Sequence, residues 1–296
     1  MQVSKKTSAT SSRTSGTPIV HTMGEIEGSD VKKGMTRSRV MQVMGELDNL
    51  QYFQHDEHRR KYIRNQSGRI AASLSLIGDC LNDSSVVLDL GIAPYFFAHV
   101  IRSQFKCKMY GVGLSAGKVD GVEENFEIPT HYCNMETEDL PFEDAMFDVV
   151  LFTEVLEHLV MSPSRTVAEI HRVLKTGGVL LVSTPNAVSF GHRLAILFGH
   201  NIFAKYSLDH VYGRHNRLFT KGELKQLLEA SNFNVERCSM FSDATRFKKA
   251  IVRSFVSLST MLNPNLGDHI ILRARAFGKN QTAFPESLYR GSLKTD

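Results

Sequence analysis

The stretch Phe147-Asp148-Val149-Val150-Leu151-Phe152-Thr153 constrains this chain more than any other. It is an almost wholly apolar run too short for an ordinary helix, which predicts a strand covered on both faces. Val179–Ser183 is a second run of the same kind. Between them Ser162 can cap a helix and Pro163 suits its first turn. Val167, Ile170 and Leu174 share one face, and Gly177-Gly178 is expected to end the helix. Two doubly buried strands joined by a helix make the unit of a parallel sheet.

The same alternation extends in both directions. Upstream, Ser85–Leu90 and Lys108–Leu114 predict strands around a helix Tyr95–Phe105, with Pro94 at a first helical position and a further strand around His131–Asn134. Downstream, Thr220 and Glu223 form a capping-box pair for a helix Lys221–Ala230. A strand Asn234–Met240, a helix over about Thr245–Leu262 and a strand His269–Ala276 follow. The expected fold is therefore α/β: a seven-stranded, mostly parallel, Rossmann-like sheet with helices on both faces. Before it, Val43, Leu47, Leu50, Ile70, Leu74, Ile77 and Leu81 recur at helical spacing. Gln54–Asn65 between them reads as a charged helix or a break between two helices.

The expected organisation is a Ser/Thr-rich basic tail without order (1–36), a helical segment (37–82), the main domain (83–277) with a long connector (186–219), and a polar tail (278–296). Residues 1–40 hold seven basic and three acidic residues, which accounts for the whole net charge of +4. The neutral body argues against the basic face that binding to a phosphate backbone requires. The longest apolar runs, such as Gly178–Val182 and Leu194–Phe198, are too short to span a bilayer. No secretory signal is read at the N-terminus. Cys80, Cys107, Cys133 and Cys238 lie far apart, as expected of reduced thiols in a cytoplasmic protein.

In an open α/β sheet the ligand lies at the carboxyl ends of the strands, beside the first. Here that point is Asp89-Leu90-Gly91-Ile92-Ala93-Pro94, and the dinucleotide fingerprint GxGxxG is absent. The segments that follow come in a distinctive order. They are Asn134-Met135-Glu136, Leu140-Pro141-Phe142, Phe147-Asp148-Val149-Val150 and Glu154-Val155-Leu156-Glu157-His158-Leu159. Glu169-Ile170-His171-Arg172-Val173-Leu174, Gly177-Gly178 and Ser183-Thr184-Pro185-Asn186 complete the set. This ordered set resembles the class I S-adenosylmethionine-dependent methyltransferases, of the small-molecule or glycan kind similar to methyltransferase type 11.

The resemblance implies S-adenosyl-L-methionine as cofactor. Asp89, Gly91, Ile92 and Ala93 would lie against its methionine part, and Gly113 and Leu114 near its ribose and adenine. Asn134 and Met135 would flank the adenine, while Thr153 and Glu154 would border the sulfonium. An Asx-turn is the alternative role for Asn134. Two positions depart from the family pattern. Ala93 stands where a second glycine is usual, and Gly113 stands where a carboxylate usually holds both ribose hydroxyls. Loss of such a charge-assisted bond costs about 1.5–3 kcal/mol of affinity. The nearest acids, Asp120, Glu123 and Glu124, lie further along the chain.

Methyl transfer to a hydroxyl is helped by a base that takes its proton. His158, just past the fourth strand, is one candidate, and bracing of the loop is its alternative role. His210 and His215 of the connector are the others, with substrate contact expected of Tyr206, Tyr212, Arg214, Asn216 and Arg217. The connector reads as a lid. Its apolar stretch Leu194–Phe203 is expected to pack over the site, line an acceptor pocket or touch a lipid surface. No metal site is expected, because no carboxylate or cysteine in the sequence completes a convincing set with these histidines.

The sequence thus points to O-methylation of a small molecule or sugar, with no nucleic-acid partner and no membrane span. A protein partner or homodimer stays open. A methyltransferase-like binding subunit without catalysis is the second reading, and an RNA methyltransferase the third.

Overall fold

A computed structural model describes residues 36–46, 57–114, 126–207, 211–243 and 250–290. The N-terminal tail, His210, Ser115 and the acids Asp120, Glu123 and Glu124 lie outside the described residues.

Seven strands form one sheet: β1 (Val86–Leu90), β2 (Lys108–Gly113), β3 (Thr130–Tyr132), β4 (Phe147–Thr153), β5 (Leu174–Pro185), β6 (Phe233–Phe241) and β7 (His269–Ala276). Their order across the sheet is β3-β2-β1-β4-β5-β7-β6. Neighbours from β3 to β5 pair in parallel, and β7 runs antiparallel to both β5 and β6. The helices are α1 (Arg37–Glu46), α2 (Glu57–Ile77), α3 (Phe96–Phe105), α4 (Pro163–Val173), α5 (Phe190–Leu197), α6 (Lys221–Ala230) and α7 (Ala250–Leu262).

Strand alternation divides the core between the two faces. Val87, Val149, Leu151, Val179 and Leu181 turn toward α1, α2 and α3. Leu88, Val150, Phe152, Leu180 and Val182 turn toward α4 and α6. Phe147, Phe152, Phe219 and Phe233 are fully buried, and each such ring stabilises the fold by roughly 1.5–3 kcal/mol.

Three local readings change. α4 ends at Val173 and the chain passes straight into β5, with Gly177 inside the strand rather than closing the helix. There Phe147 pairs with Leu174 but Val149 pairs with Val179, so the register slips and Gly177 takes φ +80° in the bulge. α3 starts at Phe96, one residue late, because Tyr95 sits in the left-handed region at φ +68° and Pro94 lies in the turn before it. Ser162 does not cap α4; its hydroxyl lies 2.7 Å from the Tyr289 hydroxyl, so the chain near the C-terminus packs back against the domain.

The cap of α6 is formed as expected. The Thr220 hydroxyl accepts from the Glu223 N–H, and the Glu223 carboxylate accepts from the Thr220 N–H. Thr220→Ala is expected to destabilise the protein by about 1 kcal/mol, read as a lower urea midpoint with an unchanged slope.

Candidate active site

The carboxyl ends of β1, β4 and β5 converge on a buried ionic cluster. Asp89 stands next to the end of β1 on the α2 face, and burial pushes its carboxyl up to about 7 against the pull of Arg69. Arg69 comes from α2 and is itself buried; its guanidinium donates to the Ser183 hydroxyl at 3.1 Å and lies 3.5 Å from Glu154. Glu154 accepts from the Ser183 hydroxyl at 2.8 Å and lies 3.1 Å from His269 Nδ1. Burial alone would raise its carboxyl, but Arg69, His269 and Ser183 outweigh that and hold it well below the usual range. Its backbone takes φ +56°, a conformation that costs a non-glycine residue about 1–3 kcal/mol and is held where the surroundings fix it.

One turn later, Leu156–His158 form a short 3-10 helix. Glu157 is fully buried, and burial together with the Glu154 carboxylate pushes it well above the ordinary carboxylate range. Its Oε2 accepts from the Thr184 hydroxyl at 3.1 Å, while its Oε1 has no hydrogen-bond partner. His158 Nδ1 lies 3.0 Å from the Arg214 carbonyl, and its ring meets that of His215 edge-on at 4.9 Å. Burial, with His158 beside it, lowers the His215 imidazole below its usual value.

Backbone bonds bring the connector here. The Asn216 N–H donates to the Glu157 carbonyl at 2.7 Å, and the Asn216 side chain donates to the His158 and Val211 carbonyls. From below, Glu136 accepts from the Val160 and Met161 N–H groups and holds the far end of the same loop. That gives the Asn-Met-Glu motif a positioning role.

The other expected site residues divide. Gly91 takes φ +75° at the end of β1, and a side chain there would meet Val155 at 2.5 Å, so only glycine fits. The Gly91 and Ile92 N–H groups donate to the Val112 carbonyl, and Ile92 is buried over Gly111. A Cβ on Gly113 would come within 3.0 Å of the Tyr132 ring on the neighbouring strand, so a side chain there needs that ring to give by a few tenths of an ångström. Asn134 does form an Asx-turn, its Oδ1 accepting from the Glu136 N–H at 3.1 Å, but its amide also donates to the Tyr212 hydroxyl at 3.0 Å. Met135 is buried, and Ala93, Leu114 and Thr153 surround the strand ends. Arg214 lies 4.5 Å over the exposed Tyr206 ring, and Arg217 pairs with Glu223 rather than turning to the cluster. Sequence reasoning missed Arg69, Glu157 and His269.

Tyr212→Phe removes the Asn134 bond between connector and sheet. It is expected to cost about 0.5–1.5 kcal/mol and to speed amide exchange over Val211–Gly213.

Between the Leu156–His158 turn and the connector lies a cleft of about 570 Å³, walled by Leu156, Leu159, Met161, Phe203, Asn216 and Phe219. Burial holds the carboxyls of Asp89 and Glu157 above their ordinary range beside Glu154, Arg69 and His269, and a cationic ligand would favour their ionised forms. The family described as a methyltransferase domain is matched over residues 56–237.

The chain belongs to that family. Its methyltransferase domain, with this sheet order and the antiparallel β7, has the Rossmann-like form expected of the class I S-adenosylmethionine-dependent family. It is 39% identical over 100 residues to a probable S-adenosylmethionine-dependent methyltransferase of Mycolicibacterium smegmatis, covering 33% of each chain. It is 34% identical over 84 residues to a ubiquinone/menaquinone biosynthesis C-methyltransferase of Vibrio campbellii, covering 28% of this chain and 30% of that one. These matches span about a third of the length of the curated relatives. The fold is similar to a chain of the complex between the Haloferax volcanii Trm112 methyltransferase activator and its methyltransferase, with a TM-score of 0.52 and 14% identity over 75% of this chain and 95% of that one. Among the described residues, no helix is long and apolar enough to cross a membrane.

Proposed function

We propose that this methyltransferase transfers the methyl group of S-adenosylmethionine to an oxygen of a small molecule or sugar. The observation that supports the reading is the mostly apolar cleft of about 570 Å³ between the Leu156–Pro163 segment and the connector, which falls within the size range of small-ligand sites. The cofactor supplies a methyl group already activated on a sulfonium, so the protein's task is alignment and charge complementarity.

The residues present fit that cofactor. Asp89, short of a cation in its buried place, would take a positively charged or hydroxyl group, and the turn Gly91–Ala93 would carry the backbone close to it. Glu154 would offer negative charge at the sulfonium end, with Gly113, Leu114, Asn134 and Met135 at the other. His158 and His215, each next in sequence to a cleft-lining residue (Leu159 and Asn216), would serve as the base for an acceptor hydroxyl, and Tyr212, Arg214 and Asn216 hold the connector against Asn134 and the Leu156–His158 turn. Tyr206 and Arg217 would meet a larger acceptor at the rim.

The test is label transfer from methyl-labelled S-adenosylmethionine to a panel of monosaccharides, glycosides and phenols. Label is expected in a hydroxyl-bearing acceptor. Label found only in RNA, or in none of the panel while the cofactor binds, would contradict the reading. One observation favours a methyltransferase-like binding subunit instead: Gly113 brings no carboxylate to the end of β2, and the Tyr132 ring crowds that position from the next strand.

A further inference from the structure

We propose that Glu157, His158 and His215 form a binding site for a divalent transition-metal ion of the zinc class. One ligand atom from each of the three lies within 4.8 Å of the others. Glu157 and His158 are adjacent on one turn, and the Asn216 bonds to the Glu157 and His158 carbonyls fasten the third ligand's segment against them. Nitrogen and oxygen ligands lie about 2.0–2.2 Å from zinc in a tetrahedral site, so they stand roughly 3.3–3.6 Å from each other. His215 Nε2 and Glu157 Oε1 are 4.0 Å apart and the other ligand pairs lie within 4.8 Å, so an ion would draw the three together by up to about 1.5 Å.

A second observation points to a ligand independently of the cluster. Glu157 Oε1 is buried and accepts no hydrogen bond, a cost that a cation bound there would remove. The remaining groups orient the three ligands as outer partners do in metal sites. Thr184 donates to Glu157 Oε2, which leaves Oε1 for the ion. With its proton on Nδ1, His158 donates to the Arg214 carbonyl and presents the lone pair of Nε2.

The donor set decides the class of ion. Two imidazoles and one carboxylate suit zinc and its neighbours, whereas magnesium and calcium prefer oxygen alone. Three protein ligands leave a position open, and half-exposed His215 beside the Asn216 wall of the cleft provides the way in. An acceptor hydroxyl taken into that position would lose its proton more readily. That last role rests on the proposed reaction; binding of the metal does not.

The experiment uses full-length protein without an affinity tag, stripped with chelator. Zn²⁺ is titrated by calorimetry, and Co²⁺ by its visible absorption. One equivalent is expected to bind, with tetrahedral Co²⁺ bands, and Glu157→Gln and His215→Ala should each weaken binding at least tenfold. No saturable binding, or binding unchanged in both variants, would overturn the proposal. If Glu157→Gln does not fold, His215→Ala at its half-exposed position decides alone. S-adenosylhomocysteine titrated into the same samples separates the two ideas: metal bound without the nucleoside leaves the site standing and sinks the methyl-transfer reading.

Discussion

Replacing Arg69 with methionine is expected to destabilise the folded protein by about 3–5 kcal/mol, the usual cost of leaving a buried charge without its partner. Arg69 is 6% exposed, and its guanidinium is shared among Ser183, Gln66 and Glu154. Methionine fills a similar volume but leaves Glu154 with His269 and Ser183 alone, so its carboxyl should rise toward the ordinary range or above. Equilibrium urea unfolding would show the loss, and the melting temperature should fall by about 10 °C. The double variant Arg69→Met with Glu154→Gln removes both charges and should regain at least half of it. A loss under 1 kcal/mol in the single variant would mean that the cluster is solvated and the ionic account wrong.

Asp89→Asn is expected to strengthen the protein without ligand while weakening its hold on the cofactor. The folded-state pKa of Asp89 is pushed up to about 7 by burial, above its ordinary value of 3.8. Between these values the folded protein holds a proton that the unfolded chain has released, so stability falls as pH rises from about 4 to 7. The contribution is fully present below the unfolded pKa and gone above 7, where ionised Asp89 costs up to about 4 kcal/mol. Asparagine has no such proton, so the variant should be more stable at pH 8 and flatter across that window. The same change removes the charge offered to the cofactor and should weaken S-adenosylhomocysteine by about 10- to 150-fold, equivalent to 1.5–3 kcal/mol. Opposite signs in stability and binding are the mark of a group kept for function. A variant that binds as well as the parent would move the cofactor away from β1.

Much of the sheet was legible because its strands are doubly buried. Phe147–Thr153 and His269–Ala276 carry apolar runs that no amphipathic helix would show, and Thr220 with Glu223 marks the start of α6 in the sequence itself. The turn at Gly177 was misread because two glycines after a helix usually end it, whereas here they supply a bulge inside β5. Asp89, His158 and His215 could be named in advance because they stand at strand ends or in a dense polar segment. Arg69 could not. It bonds to Ser183 across 114 residues, and nothing in the spacing of α2 says which chain segment its inward face will meet. The signal was an arginine placed one and two turns before buried Ser73 and Ile77, on the apolar half of α2. Glu157 was visible in Leu-Glu-His, but its burial and its missing hydrogen bond are properties of the folded loop. Tyr132 beside Gly113 is likewise a pairing between strands, invisible from either residue alone.

Calorimetric titration of the purified protein with S-adenosylhomocysteine tests the central claim most directly. Saturable binding near one equivalent, weakened at least tenfold by Asp89→Asn, is the predicted result and would seat the cofactor at the end of β1. No binding at millimolar ligand would contradict it, and the protein would then be read as a methyltransferase fold that serves a partner instead of a reaction.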